Sequence, residues 1–419
     1  MQTDMISPCR IHRARNRVDP LPLALLFAAS LLALVVEAMG QETVGSTSEE
    51  AGVNWLSTIP FHLTVGVDAG YDDHVIGSSA TTSSSGQGSF FARENVVLSY
   101  DRPMERTALH LIAVGSFDQF FDVGTDDKDG NVTLSLTHNF STRLSFYASV
   151  YATYQTEPNF QSNVGPENVR APHFDTRDIF SLTYHWLPRF NTVTSYTFDR
   201  ILYAQSSSVG TSSNRTQQML GEEFRFSLTS RTNLIGEYRF ETINYDSTPN
   251  RNSIIHFALA GVDHHLTEHL SLNVRGGPSF RSLENDGDTV SPYFEGGLQY
   301  ASSNHSLNWT TSYGYEASTA ANVSTTKTWR NGLNLRYGLT SRINSTAGVY
   351  YNHNENAGGS SGTTPVGTQD SLEFSLGLIY RINRRCFLHV GYQHTMQSSQ
   401  GSTPGYSRNR YSAGLSYTY

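Results

Sequence analysis

Between Leu372 and Ile382 the chain alternates with a period of two. Leu372, Phe374, Leu376, Leu378, Tyr380 and Ile382 share one parity. Glu373, Ser375, Gly377 and Arg381 share the other, with Ile379 the exception. Successive side chains of a strand point to opposite faces, so this segment predicts a strand with one apolar and one polar face. Val132, Leu134, Leu136 and Phe140 repeat the pattern against Asn131, Thr133, Ser135, Thr137 and Asn139. So do Leu333, Leu335, Tyr337 and Leu339 against Asn334, Arg336, Gly338 and Thr340. Sandwich strands also alternate. Here the strands are long, and the polar parity carries Gly, Ser, Thr and Asn with scattered Arg and Glu. A water-filled interior surrounded by lipid asks for that division.

The connections alternate as well. Short turns fall near Arg102–Glu105, Phe140–Thr142, Leu187–Arg189, Thr229–Thr232, Thr267–Glu268, Ser302–His305, Thr340–Arg342 and Asn383–Arg385. Longer polar loops fall at 76–88, 123–128, 157–173, 205–216, 246–251, 284–289, 319–326, 357–367 and 400–406. Eight turns and nine loops imply about eighteen strands, within a range of 16 to 20, with both termini on the short-turn side. The hairpins resemble one another weakly around the short turns, as in LTHNFSTRLSF, FSLTSRTNLIG and YGLTSRINSTA. The expected fold is all-β: a transmembrane, antiparallel, up-and-down β-barrel.

Composition removes the competing classes. Of 419 residues, 37% are apolar and the mean hydropathy is −0.39. A helical membrane protein needs repeated runs of about 20 apolar residues, and only one comparable run occurs, near the N-terminus. The lysines are Lys128 and Lys327 alone, which ill suits the charged helices of a large soluble enzyme, whereas Tyr (23) and Phe (22) are abundant. The net charge of −8, with no basic stripe, argues against nucleic acid as a partner. Cys9 precedes the apolar run and Cys386 stands far from it, so a disulfide-stapled scaffold is excluded.

Residues 1–40 read as a signal peptide. Arg10, Arg13, Arg15 and Arg17 form the basic region, Leu21–Val36 the apolar core, and Ala38-Met39-Gly40 a small-residue cleavage site. The apolar run of about 16 residues is short for a bilayer span. Residues 41–60 form a short polar lead-in, too small to plug a wide barrel, and 61–419 form the barrel.

The chain closes on a strand in which Tyr411, Ala413, Leu415, Tyr417 and Tyr419 alternate. A terminal aromatic on an amphipathic last strand resembles the assembly signal of outer membrane barrels, with Tyr411, Leu415, Tyr417 and Tyr419 as its residues. Taken with the strand pattern, the Gly-Tyr-Ser-Thr-Asn composition and the signal peptide, residues 61–419 resemble the outer membrane β-barrel porins of Gram-negative bacteria. Within these the "putative β-barrel porin 2" families are nearest in pattern, and some of them accompany exopolysaccharide systems. The resemblance implies the outer membrane bilayer as surroundings and the barrel assembly machinery as a transient partner. It supplies no functional residue and no oligomeric state.

By parity, Glu223, Arg225, Glu237, Arg239, Glu241, Arg275, Glu295, Arg336, Glu373 and Arg381 should face the lumen. An Arg facing hydrocarbon at the midplane costs about 2–4 kcal/mol, which fixes the side they take. They could line a pore and set ion preference, or brace the wall as salt bridges. The third outer loop is the longest, and in general porins the third loop narrows the lumen. By that analogy Glu157, Glu167 and Arg170 are constriction candidates, although a loop that simply caps the barrel fits slightly better.

Catalysis has little to stand on. Asp72-Asp73-His74 and Asp263-His264-His265 place carboxylate beside imidazole, as a general base would need, but no partner can be set opposite them. Asp126, Asp127, Asp129 and Gly130, and Asp286 with Asp288, hint at a cation loop. Counting from Thr125, however, the twelfth position is Leu136 rather than Glu. No catalytic residue, metal site or cofactor is assigned. The expected function is passive diffusion of small hydrophilic solutes. The alternatives are polysaccharide export or secretion, and a surface protease or lipase.

Overall fold

The structure is a computed structural model that describes residues 61–75, 86–157, 171–204, 213–283, 287–318, 323–359, 367–399 and 405–419. The proposed signal peptide and lead-in lie outside the described residues. Eighteen strands follow one another along the chain. They are β1 Phe61–Val75, β2 Gln87–Pro103, β3 Thr107–Phe120, β4 Asp126–Asn139, β5 Leu144–Gln155 and β6 His173–Leu187. Next come β7 Phe190–Tyr203, β8 Arg215–Thr229, β9 Thr232–Tyr245, β10 Ser253–His265, β11 Leu270–Leu283 and β12 Gly287–Ala301. The last are β13 His305–Ala317, β14 Val323–Gly338, β15 Ile343–Gly359, β16 Thr368–Arg381, β17 Cys386–Ser399 and β18 Tyr406–Thr418.

Each strand pairs antiparallel with its neighbours in sequence, and β18 pairs with β1, so the sheet closes on itself. Closure satisfies every sheet edge internally, which hydrocarbon requires because it offers no hydrogen bonds. The seam is tight: Thr64 faces Thr418, their hydroxyls 2.8 Å apart, and the Tyr419 amide donates to the Leu63 carbonyl at 2.8 Å.

The register fixes the faces. Val65 stands opposite Val96 on one side and Tyr417 on the other. Leu376 stands opposite Ala347 and Tyr392. Val65, Val96, Tyr417 and Leu376 belong to the exposed apolar set and form the lipid face, together with Leu378, Val390, Tyr411 and Leu415. The opposite parity faces the lumen.

Several loops are shorter than the sequence implies, and two of the shortened ones lie beside a glycine. Asp126–Lys128, placed in a loop by their polarity, open β4, and Gly287–Thr289 open β12. Both strands begin close to a glycine in the left-handed region, Gly124 (φ 62°) and Gly287 (φ 72°), which turns the chain into the sheet sooner than side-chain polarity suggests. A second departure lies at Pro278, opposite Pro292. Proline cannot donate to a ladder, and the β10–β11 pairing is interrupted between Phe257↔Ser279 and Ala260↔Gly276. The interruption brings the Ala258 carbonyl so close that a Cβ on Gly277 would sit 2.0 Å from its oxygen, so only glycine fits there.

The lumen is not uniformly polar. At the outer ends of β9, β10 and β13, Ile243, Tyr245, Ile255, Phe257, Leu259, Tyr315 and Ala317 pack into an apolar cluster, with Tyr293 against it. A turn of 3-10 helix, Pro249–Arg251, sits beside it. Arg251 lies over the Tyr245 ring at 3.9 Å and donates to the Ser318 carbonyl at 2.7 Å and the Val323 carbonyl at 3.0 Å. These contacts tie the turn to the ends of β13 and β14.

Candidate functional site: charged clusters on the lumen wall

The ten charged residues singled out by parity all lie on described strands. Six meet in one network. Arg225, Ile235, Gly261, Arg275 and Glu295 form a single cross-strand row running from β8 to β12. Glu223 stands opposite Glu237 one step away. Two like charges in that relation destabilise a sheet, and three guanidiniums surround them. Arg225 pairs with Glu223, and Arg275 reaches Glu223 at 3.0 Å and Glu237 at 3.2 Å. Arg239 grips Glu237 through Nε at 2.5 Å and Nη2 at 2.9 Å. It also grips Glu295 at 3.0 and 2.6 Å. The Tyr293 hydroxyl donates to Glu295 at 2.6 Å. A Cβ on Gly261 would fall 2.4 Å from the Val274 carbonyl oxygen and 2.7 Å from Arg275 Cγ, so glycine makes room for the guanidinium stem.

The other four stand apart from this network. Glu241 lines a cavity in the lumen. Arg336 lines a pocket with Asn304 and Asn344 near the short turns. Arg381 donates to the Ser341 carbonyl at 2.7 Å. Glu373 stands opposite Thr395.

A second network of three carboxylates and three guanidiniums lies half-way round the ring, on β18, β1, β2 and β3. Arg408 holds Asp72 through Nε at 3.0 and 2.8 Å. Arg93 holds Asp118 at 2.5 and 2.6 Å, and Arg410 pairs with the same carboxylate. The Arg410 guanidinium stacks over Phe91 at 4.3 Å. The sixth member is Glu157. It follows β5, yet it meets Arg408 at 2.8 and 2.9 Å with β1 to β4 lying between their strands. Burial alone would raise the Glu157 carboxyl, but the charges of Arg408 and Arg410 outweigh it and hold the group down at about 2. Glu167 and Arg170 lie outside the described residues.

Reasoning from sequence missed Arg93, Asp118, Arg408 and Arg410. The signal was present: Arg408 and Arg410 occupy the polar parity of the strand whose other parity ends in Tyr419. The adjacent acid and histidine residues are parted by the pleat. Asp72 faces the lumen and accepts from Arg408, whereas Asp73 accepts from the Asn409 amide and side chain at 2.6 Å each. His74 stacks on Tyr406. His264 bonds Thr232 on the lipid side, opposite in parity to Asp263 and His265. Asp126 and Asp127 likewise fall on opposite faces of β4, and Asp129 accepts from the Thr156 amide at 3.0 Å.

A closed barrel with an apolar outer face, a charged inner wall and strand connections alternating between short and long defines a porin-like protein of the outer membrane. Residues 63–419 match the model of the family described as "Putative beta-barrel porin 2", and the chain belongs to that family. No curated protein matches it in sequence. Among solved structures, it is similar to the outer membrane protein opdK of Pseudomonas aeruginosa, at 11% identity and TM-score 0.43 over 86% of this chain and 99% of that one. Acinetobacter baumannii OccAB4 is similar at 10% identity and TM-score 0.41, over 87% of this chain and 100% of that one. The ferric enterobactin receptor PfeA of Pseudomonas aeruginosa is similar at 7% identity and TM-score 0.42, over 89% of this chain and 81% of that one.

Proposed function

We propose that this barrel lets small hydrophilic solutes diffuse passively across the outer membrane, with no covalent chemistry of its own. The observation that carries the reading is the Glu157–Arg408 pair. A carboxylate leaving β5 meets a guanidinium on β18, so the start of the third outer loop turns into the lumen and narrows it. A narrowed, charged, water-facing wall selects solutes by size and charge. In this reading Glu223, Arg225, Glu237, Arg239, Glu241, Arg275, Glu295, Arg336, Glu373 and Arg381 line the path, and Glu157, Glu167 and Arg170 set its narrowest part.

The neutral composition of each network, three carboxylates against three guanidiniums, supports weak selectivity between simple cations and anions. Tyr411, Leu415, Tyr417 and Tyr419 stand together on the lipid side of β18, where the assembly machinery could read them before β18 closes on β1. Planar-bilayer recording of the refolded barrel tests the reading. Stable conductance steps are expected. A folded, heat-modifiable barrel that passes no current would overturn passive diffusion.

A further inference from the structure

A cavity of about 480 Å³ opens in the outer half of the lumen, between the wall of β5 to β9 and that of β12 to β14. Sites for small molecules span about 300–1,000 Å³. Most charged side chains lining it are already matched. Arg177 binds Asp199 at 2.9 and 3.0 Å, Arg239 binds Glu295, and Arg330 pairs with Glu316. Three are not. Arg215 is only 3% exposed, and its Nε and Nη1 have no hydrogen-bond partner among the described residues. Asp175, 7% exposed, and Glu241 take part in none of the hydrogen bonds or ion pairs of the described residues.

These three make no ion pair with one another, and the register gives their placement. Asp175 and Arg215 both stand opposite Ile201, one on each side, so they share a row with a whole strand between them. Neighbouring strands lie about 4.8 Å apart, which sets their Cα atoms roughly 10 Å apart. The buried Ile201 side chain stands in that row. Glu241 stands opposite Met219, four residues deeper along β8 than Arg215. Buried charge without a partner is costly, and proteins seldom keep it without a use. Tyr151 and Phe257 also line it, and aromatic rings attract a cation.

We propose that this cavity is a binding site for a small zwitterion of amino-acid size. Its carboxylate sits on Arg215 and its ammonium group on Asp175. One molecule with both charges satisfies two groups that make no ion pair with each other, whereas an anion or a cation alone satisfies one side only. The proposal rests on the channel reading in one respect, that the zwitterion is then a solute in transit. Binding can be measured without any current.

The test is calorimetric titration of the refolded, heat-modifiable barrel in detergent with alanine, propionate, ethylammonium and glucose. Alanine should bind saturably, with the other three at least tenfold weaker. Arg215→Gln should weaken alanine at least tenfold. Asp175→Asn should weaken alanine while leaving propionate unchanged, and it serves if the first variant fails to fold. No saturable binding of alanine, propionate or glucose binding as tightly as alanine, or alanine binding unchanged in the variants would overturn the proposal. Saturable alanine binding by a barrel that passes no current would uphold the site and sink only the passive-diffusion reading.

Discussion

Arg408 of β18 donates Nη1–H to one oxygen of Glu157 at 2.8 Å and Nη2–H to the other at 2.9 Å. Two parallel bonds of this kind fix direction as well as distance. The same guanidinium also holds Asp72, which is fully buried. Arg408 is therefore the joint between the barrel wall and the segment that follows β5. Glu157→Gln removes the charge from one side of that joint and leaves the Asp72 pair in place. The expected outcome is a barrel that still folds, with larger single-channel conductance, because the segment after β5 is no longer held to Arg408 by a charged pair. Unchanged conductance in a folded variant would place the narrowest point elsewhere.

The joint should also resist acid. The Glu157 carboxyl is held at about 2, against an ordinary 4.5. A group whose folded pKa is depressed contributes stability above its unfolded value, and loses it as pH falls through the folded value. The pair should therefore persist at pH 4 and fail only near pH 2. Conductance recorded from pH 7 down to pH 3 should show no step attributable to this loop. A step centred near pH 4.5 that vanishes in Glu157→Gln would contradict the pairing.

Arg239 binds two carboxylates at once, and Glu237 beneath it is 7% exposed. Arg239→Ala leaves Glu237 facing Glu223 with one guanidinium fewer between them. Removing one partner of a buried pair costs about 3–5 kcal/mol, and some lumenal water lowers that figure here. The urea midpoint of the folded barrel should fall accordingly. A midpoint within error of the parent would show that the network is solvated and adds little to stability.

The two parities should respond oppositely to one insertion of charge. Leu376, on the lipid face, is 46% exposed, and its neighbour Ser375 points inward opposite Gly348. Leu376→Arg should destabilise the barrel by about 2–4 kcal/mol, the cost of Arg near the bilayer midplane. Ser375→Arg should be tolerated in stability and felt instead in ion selectivity. Equal losses in both variants would mean that the register is wrong by one residue.

Much of this architecture is legible in the chain because one physical demand, lipid outside and water inside, writes itself into every second residue. The run from Leu372 to Ile382 shows its whole register in its sequence, and so does the inward row that includes Arg275 and Glu295. Legibility fails where the demand relaxes. Asp126–Lys128 lie near the outer rim, where polar side chains are free to enter a strand, and their polarity reads as loop. Ile243, Ile255 and Phe257 face inward yet are apolar, because they cluster with Tyr315 and Ala317 at the end of β13. Alternation cannot reveal that cluster. Nor can it show that Glu157 meets Arg408, since that contact depends on where a loop turns after leaving the wall.

The central claim is that an open, loop-narrowed path runs through this barrel. Single-channel recording of the refolded chain, residues 41–419, in a planar bilayer tests it most directly. The account predicts stable, uniform conductance steps in the parent and larger ones in Glu157→Gln. A correctly folded barrel that stays silent in both forms would contradict it.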